Sequence, residues 1–544
     1  MLHWLRHYRR SLLAGDISAG IVVAMMMVPQ GMAYALVAGL PPVVGLYASI
    51  VPPLLYALFG SSMTQSVGPM AITSLMTGAA LAAIPNVGPG LYMVLAAQLA
   101  LLSGAVLLLC GLLRVGFLAN FFSRPVMSGF TIGAALLIAW GQVEPLLGGS
   151  VRTLHLPSAA LGLGSLAALF LARQFLAALL RAAGMRAGAA DVVARLAPMF
   201  VVLGATLLVA ALDLGGAGVH LTGEVPSGLP GLNLASSARH WPQLVKPALL
   251  IGFVIFLISM SAAQTLALRR QEKLQSNYEL VGLGLANIGS ALTGGFPVTG
   301  SISRSAVNFS AGANTPLASV ISAALLALAL VAPTGWLALL PLPTLAASII
   351  VAVLGMLELS TLRTAWRYDR GDALALLATL AGVLSLGIEA GVVLGVLLSM
   401  GNLIWRASRP HIAVLGRIAG SEHFRNIERH PAQTTPDVLM LRIDANLFFG
   451  NVEAVNARIE EELQAHPDTR HLVLVMTAVS SIDTSALFGL EELNLSLRQR
   501  AIGLHLAEVK GPVVDRLRHS DLIDALNGKV FLSAAMACET LSAQ

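Results

Sequence analysis

Charged residues are scarce in this sequence. Only 11% of its 544 residues are Asp, Glu, Lys or Arg, whereas soluble domains carry roughly 25%. The shortage extends over most of the chain and excludes a soluble protein of ordinary composition. The chain is instead 56% hydrophobic, and a helix needs about 20 apolar residues to span a membrane. We therefore predict a polytopic membrane protein whose transmembrane region covers residues 16–408.

Residues suited to catalysis or metal binding are also few. The two cysteines, Cys110 and Cys538, exclude a disulfide framework and have no metal-binding spacing. No constellation of His, Asp, Glu and Cys falls within the apolar segments, and Glu358 and Glu389 stand far apart at segment ends. We therefore expect no catalytic residue, no metal, no cofactor and no enzymatic activity.

The net charge of +5 is carried by basic clusters between apolar segments. In a membrane protein such clusters mark cytoplasmic loops rather than a nucleic-acid partner. Counting segments places every cluster on the same side, so we predict both termini in the cytoplasm and the protein in the inner (cytoplasmic) membrane. The clusters are Arg6/Arg9/Arg10, Arg114/Arg124, Arg181/Arg186/Arg195, Arg269/Arg270/Lys273, Arg363/Arg367/Arg370 and Arg406/Arg409.

About fourteen apolar segments follow a cytoplasmic N-terminus at residues 1–15. They are predicted at 17–37, 43–59, 71–84, 91–113, 126–140, 159–180, 196–212, 248–268, 280–292, 303–311, 317–332, 337–357, 373–386 and 390–404. The composition becomes charged near His411. There we predict a linker at 409–435 and a small cytoplasmic α/β domain at 436–544, because strand patterns such as "VLMLRI" and "HLVLVM" alternate with amphipathic helices.

Two short apolar segments are interrupted by Gly and Pro. They are "SVGPMAITSLM" (66–76) and "PVTGSISRSAVN" (297–308), the third and tenth segments, and they occupy equivalent places in two successive halves. Paired interruptions of this kind indicate a substrate site near the membrane midplane. A helix N-terminus carries roughly half a positive charge, so two such termini facing each other would attract an anion.

Arg304 lies within the second interrupted segment and has no acidic residue nearby in sequence. A charged side chain at the bilayer centre costs about 3 kcal/mol or more, so we expect Arg304 to bind an anion; the alternative is contact with the interface or with a carbonyl group. The hydroxyl groups around it could serve the site or cap and back-bond helices. In the first segment, Pro29 can free backbone groups, while Gln30 and Tyr34 could line the site; for Tyr34 the alternative is ordinary packing.

Long motifs resemble the sulfate permease (SulP) family of anion transporters, which includes prestin. They are "DISAGIVVAMMMVPQGMAYALVAGLPPVVGLYASIVPPLLYALFGSS", "SVGPMAI", "LRVGFLANFFSRPVMSGF" and "ELVGLGLANIGSALTGGFPVTGSISRSAVNFSAGANTPLAS". The resemblance covers essentially the whole chain. It implies a uracil-permease-like fold of seven plus seven inverted repeats with core and gate domains, usually a homodimer, and a C-terminal STAS domain.

The resemblance also implies a site between the third and tenth helices. With the flanking residues of the two interruptions, the expected substrate-binding residues are Gln30, Tyr34, Gly68, Pro69, Met70, Ala71, Ser301, Ser303 and Arg304. Two departures stand out. Ile258 and Gln264 occupy positions where many bacterial relatives have Glu and Lys in the eighth segment. In the STAS loop "IDTSALFG", Ser485 aligns with a phosphorylatable serine, although a loop and helix-capping role is the alternative.

These features predict a secondary transporter that moves a small anion across the lipid bilayer by an elevator-like movement of core against gate. Sulfate, bicarbonate, chloride and dicarboxylates all suit a positive pocket lined by hydroxyl groups. An anion channel or uniporter, and a proton- or sodium-coupled symporter, remain alternatives; a membrane sensor with a STAS signalling module is a remote one. Because isoleucine cannot titrate, Ile258 favours exchange or uniport over cation symport.

Overall fold

The computed structural model describes residues 3–6, 8–117, 123–149, 154–232, 238–332 and 334–543. The side chains of Arg6, Arg269 and Glu389, named above, lie outside the described part. Contacts between residues divide the chain into two compact units, Met1–Ser399 and Met400–Gln544.

The first unit is mainly helical, because an apolar segment inside a membrane can satisfy its backbone groups within a helix. Its last helix continues past Ser399 into the second unit. The helices are α1 (His3–Arg6), α2 (Leu13–Val37), α3 (Pro42–Tyr47), α4 (Val51–Phe59), α5 (Ala71–Ala82), α6 (Pro89–Leu112), α7 (Arg124–Gly141), α8 (Val143–Leu147), α9 (Leu156–Leu171), α10 (Ala177–Ala182), α11 (Ala187–Arg195), α12 (Ala197–Ala211), α13 (Trp241–Arg270), α14 (Ser276–Leu292), α15 (Ile302–Ser310), α16 (Leu317–Val331), α17 (Gly335–Ala338), α18 (Leu342–Leu354), α19 (Leu359–Tyr368), α20 (Arg370–Leu386) and α21 (Ile388–Ser408).

Each of the fourteen predicted apolar segments overlaps one of these helices. Within the described residues, eight helices or collinear helix pairs are long and apolar enough to cross a membrane, and a ninth is the pair α11–α12, which is bent by 51°. Two predicted segments are clearly shorter than a span. The helices α5 and α15 contain 12 and 9 residues respectively, because the Gly/Pro interruptions replace the first half of each with extended chain.

The helices of the first unit form two sets that pack mainly among themselves. We call α2–α6 with α13–α16 the core group, and α7–α12 with α18–α20 the gate group. Fewer contacts join the sets: α2 meets α12 and α18, α5 meets α7, and α15 meets α11. This division has the form expected of core and gate domains.

Close backbone contact makes the core group compact. The contact between α6 and α14 is extensive, and a Cβ atom added at Gly104 would lie 2.7 Å from the carbonyl oxygen of Gly284. Glycine is therefore required where these two helices cross.

The two interrupted segments meet through a short antiparallel strand pair. Strand β1 (Val67–Gly68) pairs with β2 (Thr299–Gly300), with Val67 opposite Gly300 and Gly68 opposite Thr299. The amide of Ser301 also donates to the carbonyl of Ser66 at 3.1 Å. Since α5 follows β1 and α15 follows β2, the pairing holds the beginnings of both helices beside each other.

The second unit is an α/β domain with a six-stranded sheet in the order β4-β3-β5-β6-β7-β8. Strands β5 to β8 are parallel, and β3 is antiparallel to both of its neighbours. The strands are β3 (Ile412–Arg417), β4 (Phe424–Asn426), β5 (Val438–Ile443), β6 (His471–Val475), β7 (Gly503–Ala507) and β8 (Val530–Phe531); the helices are α22 (Val452–Ala465), α23 (Thr484–Gln499), α24 (Gly511–Leu517), α25 (Leu522–Ala525) and α26 (Ala534–Ser542).

Residues 409–435 are not a simple linker, which corrects the expectation from sequence. They contribute β3 and β4 to the sheet. The side chains of Ala413 and Leu415 are buried, so the domain's core requires this segment. The strand β3 was missed because it directly follows the polar sequence that marks the end of the last membrane segment.

Candidate functional site

The N-termini of α5 and α15 lie at the β1–β2 pair. The helix α5 begins at Ala71 after Met70, which has extended backbone angles and makes no capping hydrogen bond with its side chain. The helix α15 begins at Ile302 after Ser301, whose hydroxyl accepts a hydrogen bond from the amide of Arg304 at 3.4 Å. Two partial positive charges from helix N-termini are therefore close to the same point.

Arg304 extends from α15 toward the beginning of α5. It is only 1% exposed, and its Nη1 donates to the carbonyl of Pro69 at 2.7 Å. Its Nε and Nη2 atoms have no hydrogen-bond partner among the described residues. One of the three guanidinium nitrogens thus contacts a carbonyl, which was the alternative predicted from sequence. The other two are left without a partner among the described residues.

Because Gly68 has no side chain, the guanidinium group of Arg304 can lie against the backbone at this position. A Cβ atom at this position would lie 3.3 Å from Nη2 of Arg304 and 2.6 Å from Cε of Met27. The Gly-Pro interruption therefore does two things: it breaks the third segment, and it allows Arg304 to approach the backbone between β1 and α5.

Some of the neighbouring hydroxyl groups form hydrogen bonds with the backbone, and one is exposed. Thr299 donates to the carbonyl of Ile255 at 3.1 Å, and Ser305 accepts from the amide of Ser66 at 2.9 Å. Ser303 is exposed, and its hydroxyl lies 3.2 Å from that of Ser301. Ser303 is therefore the exposed hydroxyl at the start of α15, whereas Ser301 caps the helix and Thr299 and Ser305 hold the backbone together.

The two residues expected from the first segment lie on α2. Tyr34 is buried at 7% exposure and close enough to Arg304 to interact with its charge. Gln30 is half-buried, and Pro29 interrupts the hydrogen-bond ladder of α2 one residue before it. The structure thus brings Tyr34, the β1–α5 turn and Arg304 together, with Gln30 one helical turn from Tyr34.

A polar network near this site was not predicted from the sequence. Gln65 donates through Nε2 to the hydroxyl of Ser259 and, at 3.3 Å, to its carbonyl. The hydroxyl of Tyr56 lies 3.1 Å from Oε1 of Gln65 and 2.7 Å from Oε2 of Glu279. No sequence signal joins these residues, because Tyr56 and Glu279 are 223 positions apart.

Glu279 is fully buried and surrounded by donors. Besides Tyr56, it accepts from the hydroxyl of Ser61 at 2.7 Å and from the amides of Ser61 and Ser62 at 3.2 and 3.0 Å. Glu279 therefore fixes the turn after α4.

Other candidate positions are less central. Ile258 is buried at 4% exposure, while Ser261, Gln264 and Thr265 are exposed along the second half of α13. Among the described residues, no group of three or more His, Cys, Asp and Glu side chains could hold a metal ion. In the second unit, Asp483 caps α23 by accepting from the amide of Ala486 at 2.8 Å, which leaves Ser485 exposed beside it.

A cavity of about 350 Å³ lies between the core and gate groups, away from Arg304. Its lining is mostly apolar and comes from α2 and α5 on one side and from α7 and α18 on the other. The lining includes Leu36, Leu75, Leu137, Leu342, Leu345 and Ile349.

The geometry can be compared with known proteins. The model of the Sulfate permease family matches residues 13–379, and the model of the STAS domain matches residues 430–537. The chain belongs to the sulfate permease family. Membership confirms the resemblance noted from the motifs, the helical transporter fold with a C-terminal STAS domain, and the expectation that the protein is not an enzyme.

Similar sulfate permeases span nearly the same length. A probable sulfate transporter of Mycobacterium tuberculosis (strain CDC 1551 / Oshkosh) is 36% identical over 540 residues, covering 96% of this chain and 94% of that protein. The chloroplastic sulfate transporter 4.1 of Arabidopsis thaliana is 34% identical, covering 97% and 80%. The structure of SLC26A9 shares the fold with a TM-score of 0.88 at 21% identity, covering 99% of this chain and 93% of that chain.

Proposed function

We propose that this sulfate permease is a secondary transporter of small anions, with the anion held between the N-termini of α5 and α15 and in contact with Arg304. The observation that carries the proposal is the buried guanidinium group with two unpartnered nitrogens. An isolated buried charge is strongly unfavourable, and an anion would satisfy both nitrogens and the two helix dipoles at once. Met70, Ala71, Ser301 and Ser303 would supply the surrounding amides and hydroxyls.

The names of relatives support the substrate class. Several relatives are named sulfate transporters, and a cyanobacterial bicarbonate transporter domain, BicA, shares the fold with a TM-score of 0.59 at 21% identity, covering 71% of this chain and 98% of that domain. Sulfate and bicarbonate are therefore the first anions to test, followed by chloride and dicarboxylates.

The proposed mechanism is an elevator-like movement of the core group against the gate group. The limited contact between the groups and the cavity between them support it. We place the protein in the cytoplasmic membrane as a homodimer, with the termini and the STAS domain in the cytoplasm. In this orientation the exposed Ser261, Gln264, Thr265 and Ser303 form a polar path from the cytoplasm to the site.

Exchange or uniport is favoured over cation symport. Ile258 cannot titrate, and Glu279 is engaged in hydrogen bonds from Tyr56, Ser61 and Ser62 that fix the turn after α4. Uptake by liposomes under imposed proton and sodium gradients, at zero membrane potential, tests this point. Strong acceleration by an inward proton gradient would refute exchange and uniport.

The function is tested by anion uptake into liposomes that contain purified protein, with an anion panel and Arg304→Ala. We expect saturable uptake and counterflow of at least one anion, and at least a ten-fold loss of its affinity in the variant, since a hydrogen bond to a charged group contributes about 1.5–3 kcal/mol. Arg304→Lys keeps the positive charge but donates hydrogen bonds from a single nitrogen, so it should retain part of the anion affinity. Unchanged affinity in folded Arg304→Ala would overturn the proposed site.

A further inference from the structure

Arg195 joins the gate group to the core group. It is the last residue of α11, at the bend before α12. Its Nη1 donates to the carbonyl of Ala306 at 3.2 Å and to the hydroxyl of Ser310. Both acceptors belong to α15 and lie one turn apart: Ala306 is in the middle of the helix, and Ser310 is its last residue.

The contact matches the charge of the helix end. The C-terminus of a helix carries roughly half a negative charge, and an arginine there is favourable. An apolar cluster lies beside it: Val22 and Met26 of α2 and Val307 of α15 pack with Leu196 at the start of α12. The two groups are thus joined here by both a cation and apolar contacts, whereas residues of α2, α5, α7 and α18 line a cavity elsewhere along their interface.

We propose that Arg195 stabilises the conformation described here and that its contact with α15 breaks whenever the core group moves. A hydrogen bond is lost once its atoms separate beyond about 3.5 Å, and one helical turn is about 5.4 Å. A movement of α15 by one turn relative to α11 therefore cannot preserve both bonds. The inference rests on the proposed alternating movement, and it makes Arg195 a positioning residue that sets the balance between two conformations.

The test uses the full chain in liposomes with a single reporter cysteine, Ser303→Cys, after Cys110→Ala and Cys538→Ala. Ser303 is exposed in this conformation. Its labelling by a membrane-impermeant thiol reagent is measured separately from the cytoplasmic and the outer side. Arg195 is itself exposed, so its contribution is modest. We expect Arg195→Ala to raise the outer-side labelling rate about three- to five-fold and to lower the cytoplasmic rate.

Arg173→Ala is the matched control. Arg173 also donates to a helix carbonyl, that of Val351 at 3.5 Å, but Val351 lies in α18, so both partners belong to the gate side. This variant should leave both labelling rates unchanged. Ser310→Ala removes one acceptor and should give a smaller shift in the same direction as Arg195→Ala, which keeps the test available if the arginine variant folds poorly.

The outcomes separate this inference from the proposed function. Suppose that the parent is labelled from both sides and that folded Arg195→Ala and Ser310→Ala show unchanged labelling rates. This result would overturn the role of Arg195 but would remain consistent with the alternating movement. An equal shift in Arg173→Ala would also overturn it, because the effect would then reflect general loosening. Labelling of the parent from one side alone, with no change on adding transported anion, would instead contradict the alternating movement itself.

Discussion

A buried arginine and a glycine share one small space at the β1–β2 pair. Because a Cβ atom at position 68 would lie 2.6 Å from Met27 and 3.3 Å from Arg304, we predict that Gly68→Ala displaces the guanidinium group and lowers anion affinity about ten-fold. Gly90→Ala is the control, since nothing lies within 4 Å of the corresponding Cβ atom. Affinity is measured by the concentration dependence of uptake, and equal values for the two folded variants would show that Arg304 does not need this space.

The carboxylate of Glu279 gives a second prediction for a single residue. Glu279→Gln presents an amide group to donors that need an acceptor, so we expect a loss of roughly 2–4 kcal/mol in the stability of the core group. Tyr56→Phe removes one donor and should cost about 1 kcal/mol. Thermal unfolding in detergent micelles measures both changes. A Glu279→Gln protein that is stable but has lost a response to proton gradients would contradict the structural role and point to coupling.

Two histidines on neighbouring strands of the STAS domain provide a prediction about pH. Nδ1 of His505 accepts from the amide of Lys529 at 3.0 Å, so its proton lies on Nε2, which can donate to Nδ1 of His471 at 3.1 Å. Burial, and then the nearby His471 and Lys529, lower the pKa of His505 to about 4. Burial also lowers the pKa of His471, against the opposing effect of Asp437.

The unfolded domain therefore binds more protons than the folded one between about pH 6.5 and pH 4, since an unperturbed histidine titrates near 6.5. The stabilising contribution is complete above this window and is lost as the pH falls through it, by at most about 2 kcal/mol at pH 5 for His505. Amide hydrogen exchange in β6 and β7 of the full chain should accelerate accordingly, after correction for intrinsic rates. His505→Asn retains an acceptor for Lys529 and should flatten this dependence; an unchanged slope would contradict it.

At the level of helices and strands, the sequence predicted what depends on local composition. Each apolar segment overlaps a helix, and the Gly/Pro interruptions at 66–70 and 297–301 mark where α5 and α15 are cut short. The sequence did not predict the hydrogen-bond partners of Glu279, because contacts between residues more than 200 positions apart leave no periodic pattern in the sequence. The strand β3 was assigned to a linker for a related reason: its pairing with β5, rather than its composition, makes it part of the sheet.

For the whole molecule, the two units predict a separation of tasks. Every described contact of Arg304 lies within the first unit, and the second unit has its own apolar core. Truncation after Arg409, before β3, should therefore leave the order of preference among anions unchanged, even where it lowers the folded yield or the uptake rate. Uptake of the anion panel by full-length and truncated protein measures this. A changed order of preference would place part of the selectivity in the STAS domain.

The pairing of β1 with β2 also has a consequence for how the protein is made. Ser66 receives its partner, Ser305, 239 positions later in the chain. At about 5–20 residues per second, translation takes roughly 10–50 s to cover that distance. Throughout this interval the strand before α5 lacks the backbone partner that β2 provides in the folded protein, and lipid cannot replace that partner. We therefore expect the nascent first half to keep these backbone groups unpaired until β2 has been made.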